Sequence, residues 1–485
     1  MKEIIKNATI KKLSEGLKNK EFTSVELTSA YLERAKAINP QTNAFITITE
    51  EQALIDAKKA DEAIMRGEAT PLTGIPIGIK DNICTKNIKT TCASKMLEDF
   101  SPVYDATAFS HIKKQGSVLI GKTNMDEFAM GGSSGTSYFG AVKNPFDLTR
   151  VPGGSSGGSA AAVSASMCAA ALGSDTGGSV RQPASFCGIT GLKPTYGTIS
   201  RYGLIAFASS FDQIGTMAKS AEDCGILLNA IAGADEFDST CRRQKGENYL
   251  SKIGKGVKNL KIALPKEFFG DEIEVSVKSA VFEAAQTYKK MGAEIIEVSL
   301  PDLKYAVAAY YLISSAEAAS NLSRYDGIKY GHRSQKGGSY EEVIKNSRRE
   351  GFGNEVKHRI MLGNYALSSG YYDAYYNKAV LIRQKLKNDL EEIFKTCDFI
   401  LTPTAPTTAY EIGSFDKNPV KMYSADICTV LANIAGLPAI STPCGYDASG
   451  LPIGMNLMGK ANAESTLIGA ADAFENEFER KEPLL

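Results

Sequence analysis

The sequence Gly153-Gly154-Ser155-Ser156-Gly157-Gly158-Ser159 is followed, after almost entirely small and apolar residues from Ala160 to Leu172, by Ser174-Asp175-Thr176-Gly177-Gly178-Ser179. Glycine lets a backbone approach another group closely and adopt positive φ. Serine supplies a hydroxyl that can attack a carbonyl or relay a proton. The residues between the two glycine–serine segments predict a closely packed, buried helix, with the serines at its two ends brought together by the fold.

Two other interpretations of these segments are weaker. Glycine–serine runs often form flexible linkers, but the first segment has only seven residues and leads straight into an apolar stretch. A phosphate-binding P-loop needs a Gly-Lys-Ser/Thr sequence, and no lysine follows these glycines. The second segment can instead present several backbone N–H groups to one point, as an oxyanion hole requires. We expect those donors at Thr176, Gly177 and Gly178, with Ser179 placed to attack the same carbonyl.

A nucleophilic serine needs a base, and no local motif surrounds any of the histidines, which are His111, His332 and His358. A lysine can serve if it is neutral. From a reference pKa of about 10.4, holding a lysine neutral near pH 7 costs about 4.6 kcal/mol, and burial can supply a shift of that size. Lys80 follows the apolar residues 75–79, which predict a buried strand. The residues alone leave open that Lys80 is a solvated surface charge.

Composition limits the functions that this chain can have. Its 485 residues are 43% hydrophobic, so it can bury a large core, and it carries 55 basic and 55 acidic residues. This balance argues against a main nucleic-acid-binding surface, which needs clustered positive charge. Nine scattered cysteines indicate reduced thiols in a cytoplasmic protein, and neither Cys168 nor Cys187 has a histidine nearby in sequence to favour a cysteine nucleophile. We find no apolar signal segment and expect no membrane span.

Alternating strand and helix patterns predict a largely parallel or mixed sheet covered by helices. Residues 1–65 look helical, with a capping-box start at Thr23-Ser24-Val25-Glu26 and a helix end at Pro40. Residues 260–300 have the pattern of a strand, a helix and a returning strand, and residues 305–395 are mostly helical. No internal repeat or long linker divides the chain.

Three segments together resemble the amidase signature family, namely Gly78-Ile79-Lys80-Asp81-Asn82, Pro152–Ser159 and Gly173–Pro183. Lys80 precedes Ser155 by 75 residues, and Ser155 precedes Ser179 by 24, which is similar to the spacing of that family's Lys–Ser–Ser triad. The resemblance implies that Ser179 is the acylated nucleophile and Lys80 the base. It also implies that Ser155 relays the proton and follows a cis peptide bond, here Gly154–Ser155.

The resemblance also implies a fold. That fold is α/β, with a large mixed β-sheet core covered on both faces by α-helices. We expect a single amidase domain over residues 1–485, with a helical segment at about 1–65 and a signature core at about 71–220.

Further segments are similar to one branch of the family, the A subunits of glutamyl-tRNA(Gln)/aspartyl-tRNA(Asn) amidotransferases. They extend the resemblance over essentially the whole chain, and they are Lys193–Gly197, Gly203–Ser210, Gly351–Gly353, Ala366–Asp373 and Tyr423–Asp426. The branch hydrolyses glutamine through a serine acyl-enzyme and supplies ammonia to convert Glu-tRNA(Gln) to Gln-tRNA(Gln). Conversion of Asp-tRNA(Asn) to Asn-tRNA(Asn) stays open as a second reaction.

Partners follow from the same resemblance. It implies a heterotrimer in which this chain joins a larger kinase/transferase subunit plus a small one, with tRNA bound mainly by the larger partner. No cofactor or metal is expected on this chain, and ATP and Mg²⁺ are expected at the larger partner.

A pocket for free glutamine must hold an α-carboxylate and an α-ammonium, for which an arginine and a carboxylate are suited. The positions that resemble the family's pocket are Arg359 and Asp426, with Tyr310 as a further contact and its neighbour Tyr311 as an alternative. Arg359 could instead belong to a charged helix surface, and Asp426 could cap a helix. Gly135 stands where the branch is expected to have an acidic residue, which puts an acid role there in doubt.

Two other functions stay open. A stand-alone amidase of another amide would use the same triad without binding a zwitterion. A catalytically silent scaffold chain would not need the triad, so the presence of all three residues disfavours it.

Overall fold

The computed structural model describes residues 1–6, 8–242, 248–414 and 419–485. Its strands are β1 (Phe45–Ile48), β2 (Pro76–Lys80), β3 (Val118–Thr123), β4 (Ala170–Asp175), β5 (Thr190–Lys193), β6 (Gln213–Ala218), β7 (Lys261–Pro265), β8 (Glu294–Val298), β9 (Phe399–Pro403), β10 (Ala439–Tyr446) and β11 (Pro452–Gly459). Within the described residues they form one sheet of eleven strands, in the order β1-β3-β2-β4-β6-β5-β10-β11-β9-β7-β8.

The α-helices of the described residues are α1 (Lys2–Lys6), α2 (Ile10–Lys18), α3 (Ser24–Thr42), α4 (Glu50–Met65), α5 (Thr107–Lys114), α6 (Gly157–Ser164), α7 (Arg181–Phe186), α8 (Ala221–Ile231), α9 (Val275–Lys290), α10 (Ala306–Asn321), α11 (Tyr340–Gly351), α12 (Asn354–Leu367), α13 (Lys378–Ile393), α14 (Pro419–Ser424), α15 (Val430–Ala435) and α16 (Glu464–Glu475). A π-helical segment, Tyr372–Asn377, leads into α13. In this part of the chain, no helix has both the length and the apolar character that crossing a bilayer requires.

The sheet is mixed, as the sequence predicts. β2 runs parallel to both β3 and β4, whereas β10 is antiparallel to β5 and β11. Every residue of β2, β3, β4 and β6 is buried, so helices and loops cover both faces of this part of the sheet. The predicted α/β fold class is therefore confirmed.

Several predicted elements are confirmed, two boundaries are wrong, and the segment 1–65 predicted as helical also contains the strand β1. The Thr23 hydroxyl and the Glu26 carboxylate form the capping box of α3, but that helix continues past Pro40 to Thr42. The strand–helix–strand unit in residues 260–300 is present as β7, α9 and β8, with its two strands parallel.

The predicted helix between the glycine–serine segments is the other wrong boundary. Helix α6 spans only Gly157–Ser164, and Ser166 has a φ of 55° where the chain turns. The chain then enters β4, because residues from Ala170 onward pair with β2 on one side and β6 on the other. Small apolar residues suit a packed helix and a packed strand equally, so the pattern did not distinguish the two.

This topology brings the chemistry-bearing segments to one edge of the sheet. Lys80 ends β2 and Asp175 ends β4, and these neighbouring strands are parallel, so both residues lie at the same edge. The turn before α6 carries Ser155, and α6 packs against β2 and β4. Carboxyl ends of parallel strands are where α/β folds commonly place their sites.

Candidate active site

Lys80 has a fully buried side chain whose amine is surrounded by serine oxygens. Its Nζ lies 2.7 Å from the Ser155 hydroxyl, 2.9 Å from the Ser156 hydroxyl and 2.9 Å from the Ser174 hydroxyl. The Ser174 carbonyl oxygen is a fourth neighbour at 3.3 Å. The predicted base and relay serine are therefore in direct contact.

Burial lowers the pKa of Lys80 from 10.5 to about 7, because an ammonium loses its hydration there. The carboxylates of Asp126, Asp175 and Asp212 act in the opposite direction from a distance, but burial dominates. A large fraction of Lys80 is therefore neutral near pH 7. Its surroundings are those that a lysine base requires.

The segment before Ser155 is pressed against neighbouring backbone and side chains. The peptide bond Gly154–Ser155 is cis, as the resemblance implies. A Cβ on Gly154 would lie 2.1 Å from Oδ2 of Asp126, so only glycine fits at this position. The Gly154 N–H donates to the side-chain oxygen of Gln182 at 2.9 Å.

The two glycine–serine segments lie side by side. The Ser156 N–H donates to the Ser179 carbonyl oxygen at 3.1 Å, and this bond holds the segments together at the serines. Ser179 keeps 8% exposure, whereas Ser155 is fully buried. Within the described part of the chain, the Ser179 hydroxyl has no hydrogen-bond partner, so no hydrogen bond joins it to the Ser155 hydroxyl.

Asp175 organises the loop that carries Ser179. Its carboxylate accepts hydrogen bonds from the Gly178 and Val180 N–H groups at 2.8 and 3.2 Å. It also accepts from the guanidinium of Arg181 at 3.0 and 3.2 Å and from the Asn433 amide at 2.8 Å. Burial alone would raise the pKa of Asp175, but Arg181 and these hydrogen bonds outweigh it and lower the value to about 2. Asp175 is therefore a fixed, charged acceptor.

These bonds correct one predicted oxyanion donor. The Gly178 N–H is taken up by Asp175 and is not free to meet a substrate oxygen. The N–H groups of Thr176, Gly177 and Ser179 donate to no protein atom among the described residues. Ser179 thus replaces Gly178 in the set of free donors, because the buried Asp175 carboxylate requires donors of its own.

Tyr310 lies directly against the loop Thr176–Ser179. A Cβ on Gly177 would come within 2.6 Å of the Tyr310 hydroxyl, so glycine allows the ring to sit at the loop. The ring also packs against Phe211 at 5.6 Å and edge-on against Tyr311 at 5.1 Å. The predicted contact residue is therefore at the site.

Arg359 and Asp426 lie on either side of Tyr311. The Tyr311 hydroxyl donates to the Asp426 carboxylate at 2.6 Å, and the Arg359 guanidinium stacks over the Tyr311 ring at 4.3 Å. Glu355 accepts from Nε of Arg359 at 2.6 Å, while Nη1 of Arg359 is buried and has no partner among the described residues. Burial raises the pKa of Asp426 to about 6. Tyr311, which the sequence leaves as an alternative, joins the two predicted charges.

Gly135 occupies an exposed turn, and its N–H donates to the Ser133 hydroxyl at 3.2 Å. It borders a cavity of about 480 Å³ that Glu355 and Tyr410 also line. The carboxylate that organises this turn belongs to Asp126, which accepts from the Ser134 N–H at 2.9 Å and the Thr136 hydroxyl at 3.0 Å.

Sequence reasoning missed the residues that hold the site in place. Ser156 and Ser174 lie within the quoted segments but have no distinguishing signal there. Asp175 and Arg181 are six residues apart and opposite in charge, which is the one local signal that could have identified their pairing. Asn433 joins them from a segment more than 250 residues away, which no local pattern reveals.

Comparisons with known proteins agree with this geometry. The sequence profile of the family described as Amidase matches residues 26–468. The A subunit of glutamyl-tRNA(Gln) amidotransferase from Ruminiclostridium cellulolyticum is 54% identical over 478 residues, which cover 98% of each chain. The protein of the same name from Coxiella burnetii is 53% identical and covers 97% of each chain.

Solved structures give the same result. The crystal structure of the A subunit of glutamyl-tRNA(Gln) amidotransferase from Thermotoga maritima superposes with a TM-score of 0.81 at 43% identity, covering 97% of this chain and 95% of that one. Native peptide amidase from Stenotrophomonas maltophilia superposes with a TM-score of 0.83 at 30% identity, covering 98% of each chain. On its sequence profile, its relatives and its fold, this chain belongs to the amidase signature family.

Proposed function

We propose that this chain hydrolyses glutamine as the A subunit of a glutamyl-tRNA(Gln) amidotransferase, with Lys80, Ser155 and Ser179 as its catalytic triad. The observation that carries the proposal is the buried Lys80 amine 2.7 Å from the Ser155 hydroxyl, on a segment whose Ser156 N–H is hydrogen-bonded to the Ser179 carbonyl oxygen. Relatives that are 52 to 55% identical over nearly the whole chain bear that subunit's name.

Hydrogen-bond counting around Lys80 orients its lone pair. The Ser156 hydroxyl donates to the Ser174 carbonyl at 3.2 Å, so it can only accept from Lys80. The Ser174 hydroxyl accepts from Asn82 at 2.9 Å and offers a second lone pair to the amine. A neutral lysine has two N–H donors, and we assign them to these two serines. The lone pair then faces Ser155, whose proton Lys80 accepts.

The reaction proceeds through an acyl-enzyme. Ser155 takes the proton of Ser179 as it passes its own to Lys80, and Oγ of Ser179 forms a bond to the side-chain amide carbon of glutamine. The free N–H groups of Thr176, Gly177 and Ser179 stabilise the oxyanion. The proton returns through Ser155 to the leaving nitrogen, the C–N bond breaks and ammonia departs. Water then cleaves the ester by the same route, giving glutamate.

Selectivity for free glutamine comes from the two charges around Tyr311. Nη1 of Arg359, which has no hydrogen-bond partner among the described residues, is a buried donor for the α-carboxylate of the substrate. Asp426 accepts the α-ammonium, and Tyr310 bounds the space between these charges and Ser179. A stand-alone amidase of a simple amide has no use for this charge pair.

Ammonia is used by the rest of the complex. We propose a larger subunit that binds tRNA, ATP and Mg²⁺ and activates the tRNA-bound glutamate, together with a small subunit. Charge on this chain is balanced at 55 residues of each sign, in keeping with a tRNA contact that lies mainly on the partner.

The pH dependence of glutamine hydrolysis tests Lys80 as the base. Because burial lowers its pKa to about 7, kcat/KM should fall about tenfold per pH unit below pH 7 and level off above it, as the ammonium deprotonates. Lys80→Met should lose about 10²–10⁴-fold in kcat. Ammonia release between about pH 5.5 and pH 9, on either side of this pKa, measures both.

Lys193 provides the matched control. It is another fully buried lysine whose pKa burial lowers to about 7, but its amine donates to the Pro194 carbonyl and not to a serine of the site. Lys193→Met should show the same fall of kcat/KM below pH 7 as the wild type. If a Lys80→Met enzyme that retains turnover still showed this fall, the proposal would be contradicted.

Binding of the zwitterion tests the substrate. Arg359→Lys and Asp426→Asn should each raise the KM for glutamine about 10- to 100-fold and leave kcat within about threefold, because charged contacts are worth about 1.5–3 kcal/mol and act on both ground and transition states. Initial rates with glutamine and with butyramide, which lacks both α groups, make the measurement. The KM for butyramide should not change.

Arg348→Gln is the control for loss of a partly buried arginine, since its guanidinium donates to the Leu322 and Tyr325 carbonyls instead. Unchanged KM for glutamine in both pocket variants would favour the stand-alone amidase. Absence of any wild-type turnover in the assembled complex would favour the silent scaffold.

Native purification tests the partners. The chain should elute from its own cells with one larger and one small chain, and the complex should form Gln-tRNA(Gln) from Glu-tRNA(Gln), glutamine and ATP. Recovery as a lone chain with full amide-hydrolysing activity would contradict membership of a complex.

A further inference from the structure

Asp126 and Glu127 are consecutive buried carboxylates that the proposed chemistry does not use. They follow β3 and face different parts of the site. The Asp126 carboxylate accepts from the Ser134 N–H at 2.9 Å, and the Asp126 N–H donates to the Ser155 carbonyl at 3.3 Å. Asp126 therefore contacts the backbone of the relay serine, Ser155. Glu127 turns toward a helix that comes from a distant part of the chain.

Glu127 is tied to the first turn of α12. Both of its carboxylate oxygens accept from the Gly353 N–H, at 2.8 and 3.1 Å, and Gly353 caps that helix. The Ser94 hydroxyl donates to Oε1 of Glu127 at 2.5 Å. The Glu127 carboxylate is the acceptor in all three contacts. Its negative charge lies at the positive end of the α12 dipole.

The structure bears a cost for this contact. Glu127 keeps only 3% exposure, and its burial raises the pKa to about 7. A buried glutamate that served only to fill space could be replaced by an apolar residue without that cost. The neighbouring Phe128 ring makes an edge-on contact with Phe352 at 5.6 Å. Glu127 and Phe128 therefore both contact the residues that directly precede α12.

Helix α12 carries Arg359 and its partner Glu355. Further along, α12 presses on α10, since a Cβ on Gly363 would lie 2.0 Å from the Ser315 carbonyl oxygen. That contact fixes the middle of the helix, and Glu127 fixes its start. Arg359 lies between these two contacts along α12, so together they determine its position.

We propose that Glu127 is a positioning residue for substrate binding, which holds the start of α12 against the segment behind Ser155 and so sets the place of Arg359 relative to Ser179. The inference rests on the proposed function, in which Arg359 binds the α-carboxylate of glutamine. Through Asp126 and Glu127, two adjacent residues join the relay serine to the helix that recognises the substrate.

The test compares glutamine hydrolysis by the purified wild-type complex with hydrolysis by the complex carrying Glu127→Gln. A glutamine keeps the shape but loses one acceptor and the charge, so α12 loses an anchor. We expect the KM for glutamine to rise about tenfold with kcat within about threefold, the pattern of lost substrate binding. Ser94→Ala, a milder change that removes one donor to Glu127, should raise KM about two- to threefold.

A double-mutant cycle with Arg359→Lys separates positioning from a general structural role. If Glu127 acts through Arg359, adding Glu127→Gln to the Arg359→Lys complex should raise KM by less than about twofold, because coupled residues are not additive. Glu350→Gln is the control, since that carboxylate accepts from His332 and Ser334 at 3.1 and 2.9 Å and, among the described residues, forms no hydrogen bond or ion pair with α12. It should leave KM unchanged.

The outcomes distinguish this inference from the proposed function. If the wild-type complex hydrolyses glutamine and Arg359→Lys raises its KM, the function stands. An unchanged KM in Glu127→Gln, or the same fold-rise in both backgrounds, would then overturn the positioning role alone. If Glu127→Gln does not yield folded complex, the Ser94→Ala variant decides in the same two backgrounds.

Discussion

The amine of Lys80 is buried with serine oxygens, not a carboxylate, as its hydrogen-bond partners, and the site is arranged around that constraint. An ion pair would hold the lysine charged, whereas serine oxygens let burial lower the pKa to about 7. Such burial is favoured on an interior strand of the sheet, and β2 lies between β3 and β4. It also needs a helix packed closely against β2, which the small residues of α6 allow.

Asp175 is the opposite case in the same site. It is as buried as Lys80, but the Arg181 guanidinium and three further hydrogen-bond donors keep it ionised, with a pKa of about 2. Lys80 thus has a pKa at which it can exchange a proton near pH 7, and Asp175 is held as a charge that organises the loop carrying Ser179. Environments that push two pKa values apart in this way are a common basis for assigning acid–base roles.

The three candidate catalytic residues could be identified from sequence because they lie in three short segments whose spacing resembles that of the family's triad. The physics of the sequence alone did not establish that Lys80 is buried, since burial comes from the strands on either side of β2. The donor at Gly178 was predicted wrongly, because the local pattern shows a free N–H and hides the demand of Asp175. The stretch from Ala160 to Leu172 was predicted as one helix, because small residues fit a helix and a strand alike.

Residues around the substrate pocket were harder to predict for a related reason. Tyr311 and Asp426 are bonded across 115 residues, and Glu127 and Gly353 across 226. Neither pair carries a local signal, so only the fold brings them together. The resemblance supplied Arg359 and Asp426 as positions, and the structure supplied the tyrosine between them.

The most direct measurement is the site of acylation. The complex is mixed with glutamine, quenched rapidly in acid and digested, and the peptides are analysed by mass spectrometry. A γ-glutamyl ester should be found on Ser179 in the wild-type complex and in Ser159→Ala, which loses a fully buried hydroxyl bonded to Thr123 and not to Lys80. It should be absent in Ser179→Ala. A glutamyl adduct on Ser155 or on a cysteine, or its persistence in Ser179→Ala, would contradict the assignment of Ser179 as nucleophile.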